Sequence, residues 1–298
     1  MGTAYGPPAP SLPLIDLVPG ALPPLTYRAR VDADHVVAFA LATNDPNPRY
    51  LDGDAVPPLF TVTLILDAFQ KPLVEFDERA VTSRASVSVH GQHDVWFHRP
   101  VIPGTPIRYG VGFHGATQNR GGVLITRRLV LCDAEGGLLV EHFWSSIHIG
   151  ARLDGNVGSA PPDHAFPESA RVHPVGRKSV PVDRDQTFRY AGVSGDHNGH
   201  AVDDEIARRE GYPGKILQGL CTFALTSGAV VDVAAGGDPG RLRRVAARFA
   251  APAFPQHDLA VDVYDAGPTE GGGRAFAFEC GQGDAVVIRH GRAEVTGG

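Results

Sequence analysis

Several side chains that can move protons or hold water are concentrated in one short segment, SGDHNGH. Asp196 and His200 could act as a general base and a general acid, and Asn198 between them could hold a water molecule or the loop. A carboxylate and an imidazole are groups that enzymes use to activate water and return a proton. Ser194 and His197 are secondary candidates in the same segment. An Asx turn in an ordinary loop would also explain Asp196 and Asn198.

An apolar stretch that predicts a helix, 216–231, follows this segment. Gly219 lies near its start, where a backbone N–H can stabilise negative charge on a thioester oxygen. Glycine also lets a ligand approach the backbone closely. Together with Asp196 and His200, this arrangement suits hydration or dehydration of an acyl thioester. No bound cofactor is expected, because the thioester itself acidifies the neighbouring carbon. Coenzyme A or phosphopantetheine would be part of the substrate.

The elements that must position these residues occur twice along the chain. Each half has a short helix ending in a polar turn, then an apolar helix, then about four β-like runs. The predicted helices are 32–43 and 59–69 in the first half, and 184–192, 203–210 and 216–231 in the second. The predicted strands are 85–90, 92–98, 107–117, 122–132 and 138–149, then 242–249, 259–265, 274–281 and 285–294. This order predicts an α+β fold in which each half wraps an antiparallel sheet around a helix. One large α+β domain without duplication is the alternative.

Composition along the chain predicts four segments. Residues 1–26 form a Pro-rich arm, and residues 27–151 form the first domain. Residues 152–178 carry Gly, Pro, Ser and charged residues without a period, which is typical of a linker. Residues 179–298 form the second domain, which carries the candidate site.

Charge and cysteine content exclude several classes of protein. The formal net charge of −6 argues against a nucleic-acid partner. No apolar run approaches the roughly 20 residues that span a bilayer, and the first residues do not resemble a secretory signal. Cys132, Cys221 and Cys280 match neither a zinc spacing nor a disulfide framework. We therefore expect a cytoplasmic protein without a metal site. The remaining strand histidines of the first half are expected at the surface or the edge of the core: His90, His93, His98 and His114.

The candidate segment resembles the signature of the MaoC-like, (R)-specific enoyl-thioester hydratases. That signature runs S-G-D-x-N-P-x-H, then a helix, then G-x-x-x-x-I-x-H-G-L. The matching residues are Ser194, Gly195, Asp196, Asn198, Ala207, Gly211, Tyr212, Ile216, Gly219 and Leu220. The run at 216–223 is similar to the peroxisomal hydratase of multifunctional β-oxidation enzymes. In the first half, DPNPRY, VPPLF and HRPVIPG resemble the noncatalytic partner domain of the same family.

The resemblance implies two hot-dog folds in tandem, arranged as a pseudo-dimer. The first half would widen a tunnel for the acyl chain, and the second half would carry out the chemistry on an acyl-thioester substrate. Two such chains could associate further as a homodimer, but the internal pairing does not require it.

The segment departs from the family signature at several positions. The family's catalytic histidine falls at Ala201, and His200 stands one residue earlier, after Gly199 in place of proline. Gln218 replaces the histidine before Gly219 and is expected to help bind the thioester. Three hypotheses stay open. His200 acts as the acid–base group on a rearranged loop, Asp196 works with altered chemistry or substrate, or the chain binds an acyl-thioester or polyketide-like ligand without catalysis.

Overall fold

A computed structural model of the protein describes residues 22–71, 73, 76, 78–82 and 85–297. Residues 1–21 of the predicted arm lie outside this range. The described helices are α1 (Ala33–Ala42), α2 (Pro48–Leu51), α3 (Val62–Phe69), α4 (Glu78–Thr82), α5 (Gln186–Ser194), α6 (Gly199–Val202), α7 (Asp204–Arg209) and α8 (Gly219–Ala235). Two short 3₁₀ helices cover Glu168–Val172 and Pro239–Arg241.

The described strands belong to one antiparallel sheet. They are β1 (Tyr27–Arg30), β2 (Val87–Phe97), β3 (Pro106–Asn119), β4 (Gly122–Cys132), β5 (Leu138–Ile149), β6 (Val157–Gly158), β7 (Pro174–Val180), β8 (Leu242–Phe249), β9 (Leu259–Pro268), β10 (Arg274–Gln282) and β11 (Ala285–Val295). The order across the sheet is β1-β3-β4-β5-β2-β8-β11-β10-β9-β7, and β6 pairs with β3. The order within the second half mirrors the order within the first, so the chain contains the same topology twice.

The long helix of the second half forms the centre of its core. Fourteen of the 17 residues of α8 are buried, as expected for a helix that is apolar on most sides. It starts three residues later than the apolar pattern predicted. Ile216 N–H donates to the His200 carbonyl at 3.1 Å and Leu217 N–H donates to the Ala253 carbonyl at 2.8 Å. These two residues are therefore extended connections, although their side chains are apolar.

A single strand, β2, replaces two runs that the sequence predicted separately. The register with β5 shifts between His90 and Gln92, so Gly91 forms a bulge. A Cβ at Gly91 would lie 3.3 Å from Leu124 Cδ1, which is tighter than an ordinary contact. The bulge lets one strand bend without breaking the ladder.

The two halves meet along β2 and β8, which pair over Gln92–Trp96 and Arg244–Arg248. At this seam the Arg244 guanidinium forms a bidentate pair with Asp94, with Nη2 2.6 Å from Oδ2 and Nε 3.0 Å from Oδ1. The two side chains are only 6% and 2% exposed. A continuous sheet with a helix from each half packed on it confirms the predicted tandem hot-dog fold.

The segment predicted as a linker, 152–178, contains regular structure. It includes β6, the 3₁₀ helix Glu168–Val172 and the start of β7. β6 pairs with β3 of the first half, and β7 pairs with β9 of the second. The segment therefore runs along both halves. The domain boundaries themselves stay predictions.

Candidate functional site

A cavity of about 380 Å³ lies at the seam between the two halves. Five of the predicted site residues line it: Asp196, Asn198, His200, Gln218 and Gly219. Ser194 and His197 are not among the lining residues. The first half supplies four of the remaining lining residues: Ser88, Val89, His90 and Trp144. The cavity is therefore built jointly, and neither half could form it alone.

The Asp196 carboxylate is held by the loop that follows α5. That helix ends at Ser194 and is capped by Gly195, whose φ of 77° turns the chain and favours glycine. Asp196 N–H then donates to Ser194 Oγ at 3.1 Å. The Asn198 backbone and side-chain amides donate to Asp196 Oδ1 at 3.2 and 2.6 Å. Burial raises the pKa of Asp196, while the hydrogen bonds from Asn198 and the charge of His200 oppose this shift. Ser194 thus supports the loop, and His197 is exposed to solvent.

The His200 ring reaches the cavity from the short helix α6. Its Nδ1 lies 2.9 Å from Glu210 Oε2. With Nδ1 as the donor to that carboxylate, Nε2 is the nitrogen left for a reaction. Ala201, at the family's histidine position, is fully buried and does not line the cavity. A Cβ at Gly199 would lie 2.8 Å from Ile206 Cγ2, so α6 and α7 pack too closely for the family's proline unless they shift.

Gln218 and Gly219, at the start of α8, make different contacts. Gln218 is 1% exposed, and its amide nitrogen donates to the carbonyl oxygens of Thr187 and Asp196, both at 3.1 Å. Both amide hydrogens are thereby engaged in holding the Asp196 loop, whereas Gln218 Oε1 has no hydrogen-bond partner among the described residues. The expected contact with the thioester stays a prediction. Gly219 N–H has no acceptor within the described part of the chain. It is one of the free amides of the first turn that remain for a ligand oxygen, at the positive end of a 17-residue helix.

The aromatic wall of the cavity was not predicted. The His90 ring stacks on Trp144 with centroids 4.5 Å apart and an interplanar angle of 7°. Phe249 packs against His90 at 4.7 Å between centroids, and a Cβ at Gly219 would lie 3.6 Å from the Phe249 ring. His93 was expected at the surface or the core edge but is fully buried. No local sequence signal marks these residues, because the cavity forms only where strands of the two halves pair.

The loop of the first half that resembles the signature packs against α8. Asn47 Nδ2 donates to the Gly237 carbonyl at 2.8 Å. A Cβ at Gly228 would lie 2.6 Å from Asp45 Oδ2, so a glycine in the middle of the helix makes room for this carboxylate. Tyr50, at the histidine position of the pattern, is fully buried. This loop thus helps to join the halves.

The described residues contain neither a metal-binding cluster nor a membrane-spanning helix. No group of three or more His, Cys, Asp or Glu side chains could hold a metal ion there. None of the helices in the described part of the chain is long and apolar enough to cross a membrane.

Comparisons with known proteins agree with this geometry. The sequence pattern described as MaoC like domain matches residues 166–276. A 3-hydroxyacyl-thioester dehydratase Y from Mycobacterium tuberculosis is 30% identical over 226 residues, covering 73% of this chain and 76% of the relative. The enoyl-CoA hydratase ChsH3 from the same organism is 27% identical over 263 residues, covering 85% and 90% of the two chains.

Solved structures show the same fold. The crystal structure of a MaoC-like dehydratase from Phytophthora capsici has a TM-score of 0.78 at 22% identity, covering 91% of this chain and 95% of the other. The chain belongs to the MaoC-like dehydratase family.

Proposed function

We propose that this protein is a hydro-lyase that interconverts a 2-enoyl thioester and a 3-hydroxyacyl thioester with R specificity. The observation that carries the proposal is that Asp196, His200 and the free N–H of Gly219 line one cavity. The names of the relatives from Mycobacterium tuberculosis, a thioester dehydratase and an enoyl-CoA hydratase, support the same reaction. No separate cofactor takes part, because coenzyme A or a carrier-protein phosphopantetheine belongs to the substrate.

In the hydration direction, Asp196 takes a proton from water while the water oxygen attacks C3 of the enoyl group. The double-bond electrons move to C2 and the thioester oxygen, where Gly219 N–H and the α8 dipole stabilise the charge. His200 Nε2, as the protonated partner, then gives a proton to C2. Water thus supplies its hydroxyl to C3 and His200 supplies the proton at C2. Loss of a proton from Asp196 to solvent and gain of one by His200 from solvent then restore the starting state. Dehydration follows the same steps in reverse.

Asn198 keeps the Asp196 carboxylate in place through two hydrogen bonds to Oδ1. Oδ2 is therefore the carboxylate oxygen left for water. Glu210 does the same for His200 by engaging its Nδ1. Asp196 and His200 thus each have one atom held by a hydrogen bond within the protein and one atom available to water or substrate.

The direct test is hydration of crotonyl-CoA and longer 2-enoyl-CoA esters, followed as loss of the conjugated absorbance. Asp196→Asn should lower kcat about 100-fold or more, which is the usual range for removing an acid–base group. His257→Gln, an exposed histidine outside the cavity, is the matched control. If the wild-type protein binds these esters but hydrates none, the proposal is wrong. Oxidation of the product by an S-specific dehydrogenase would contradict the R assignment.

A second candidate is an acyl-thioester or polyketide-like ligand-binding protein without catalytic activity. It is favoured by one observation: the family's histidine position is a buried alanine, Ala201. Binding of an enoyl-CoA without turnover, together with activity gained by Ala201→His, would establish it.

We also propose a cytoplasmic location and a homodimer. All three cysteines are buried and free, which suits a reducing compartment. The outer strands of the described sheet, β1 and β7, are edges where a second copy could pair. Light scattering should give twice the 31.6 kDa chain mass, and a monomer would contradict the second point.

A further inference from the structure

A buried row of polar side chains connects the cavity with the interior of the first half. His90 Nε2 lies 3.3 Å from His93 Nδ1, and His93 Nε2 lies 2.9 Å from His142 Nδ1. His142 Nε2 lies 3.0 Å from the Thr61 hydroxyl. His93 and His142 are fully buried and Thr61 is 1% exposed. We call these four residues the histidine chain.

All three rings of the histidine chain are neutral at neutral pH. Burial lowers the pKa of His90 and of His142 to about 3, and burial also places the pKa of His93 well below its usual value. A neutral imidazole has one donor nitrogen and one acceptor nitrogen. The hydrogen bonds must therefore all run in one direction along the chain.

The Thr61 hydroxyl decides that direction. Among the described residues its only hydrogen-bond partner is His142 Nε2. If it merely accepted, its hydrogen would be buried and unpaired, which is unfavourable. The hydroxyl therefore donates to His142, His142 Nδ1–H donates to His93, and His93 Nδ1–H donates to His90 Nε2. His90 then carries its hydrogen on Nδ1, the nitrogen not bonded to His93.

His90 lines the same cavity as Gly219, which holds the proposed thioester site. Ser88 and Val89, which precede it on β2, are exposed and also line the cavity. We take this exposed side of the cavity as the path along which the arm of a bound thioester would reach the site at Gly219. That arm, common to coenzyme A and a carrier-protein phosphopantetheine, contains amide carbonyl oxygens that accept hydrogen bonds.

We propose that His90 is a ligand-binding residue that the first half contributes, donating Nδ1–H to a carbonyl oxygen of the pantetheine arm. Thr61, His142 and His93 are positioning residues that fix its tautomer. This inference rests on the proposed function, since it assumes a pantetheine thioester as the ligand.

The test uses protein with ¹⁵N-labelled histidine, free CoA, and butyryl-CoA, which has no double bond to hydrate. We expect wild-type His90 to show the Nδ1–H tautomer, and its signal should shift at saturation with either compound. Thr61→Val should remove the tautomer preference and weaken butyryl-CoA binding about three- to tenfold, as for the loss of one neutral hydrogen bond. Thr61→Ser should behave as wild type. Thr63→Val is the matched control, because the buried Thr63 hydroxyl has no partner among the described residues.

The inference is overturned if wild-type His90 carries its hydrogen on Nε2, or if its signal fails to move with free CoA. Equal binding by the Thr61→Val and Thr63→Val variants would also overturn it. If Thr61→Val does not fold, the wild-type spectra still decide. Hydration of crotonyl-CoA tests the proposed function separately. An inactive protein that shows the expected spectra would refute only the proposed function. An active protein that lacks the expected spectra would refute only the inference about His90.

Discussion

Replacing Gly219 by proline would remove the N–H of the proposed oxyanion site and put a ring carbon on that nitrogen. Proline has no N–H, but it is well tolerated at the first position of a helix, where Gly219 lies. The residue before a proline must be extended, and Gln218 already has φ −55° and ψ 138°. The fold should therefore accept Gly219→Pro with little change in melting temperature.

The expected loss can be estimated from similar sites. Removing one oxyanion donor costs about 2.7–4 kcal/mol, which lowers kcat about 100- to 1,000-fold. The other free amides of the first turn of α8 keep their dipoles, so we expect a value near the lower limit. Steady-state hydration of crotonyl-CoA would measure the change in kcat.

Gly219→Ala is the matched control, since it keeps the N–H. Its Cβ would lie 3.6 Å from the Phe249 ring, an ordinary contact distance. We expect activity within a few-fold of wild type. If Gly219→Pro folds and its kcat stays within about threefold of the alanine variant, well short of the loss expected for an oxyanion donor, then Gly219 N–H does not have that role.

Three further predictions concern other parts of the molecule. Asn198→Ala removes a hydrogen bond that lowers the pKa of Asp196, so the acid limb of the kcat/KM profile should move to higher pH. Asp94→Asn leaves Arg244 buried without its bidentate partner and should lower the free energy of unfolding by about 3 kcal/mol in a denaturant titration. Ala201→His places a large ring at a fully buried position and should destabilise the fold by about 1–3 kcal/mol without raising hydratase activity, measured by melting and by turnover.

Each of these has an outcome that would contradict it. An acid limb that stays in place or moves to lower pH would show that Asn198 does not tune the carboxylate. For the seam, the control is Glu205→Ala, which breaks an exposed pair with Arg209 and should change stability by less than about 1 kcal/mol. If Asp94→Asn changed the free energy of unfolding by a similarly small amount, the Asp94–Arg244 pair would not stabilise the junction of the two halves as argued. Higher turnover in Ala201→His than in the parent would favour the noncatalytic hypothesis for the natural chain.

Local patterns predicted most elements of the fold. The strand 242–249, in which five of eight residues are apolar, was placed at its observed bounds. The helix α8 was recognised, but its start was placed three residues early. Apolar side chains alone do not reveal that Ile216 and Leu217 give their N–H groups to carbonyls outside the helix.

Local sequence patterns did not predict contacts between segments that are distant along the chain. The Asp196 loop was found because its residues are adjacent in sequence. Glu210 beside His200 and His90 within the cavity were missed, since both depend on how separate elements pack. The two hydrogen bonds from the Gln218 amide to backbone carbonyls were also missed, since they too depend on how separate elements pack. Residue types and spacing thus indicated which side chains to consider, but not which side chains of other elements contact them.

The pairing of β2 with β8 has a consequence for the growing polypeptide. Asp94 and Arg244 are 150 positions apart along the chain, so at about 5–20 residues per second the ribosome needs about 8 to 30 s to supply the partner strand. During that time β2 has an unpaired edge, which invites pairing with other chains. The Asp94 carboxylate opposes such pairing while it is unmatched, until Arg244 arrives. The same side chain that joins the finished halves would thereby protect the unfinished one.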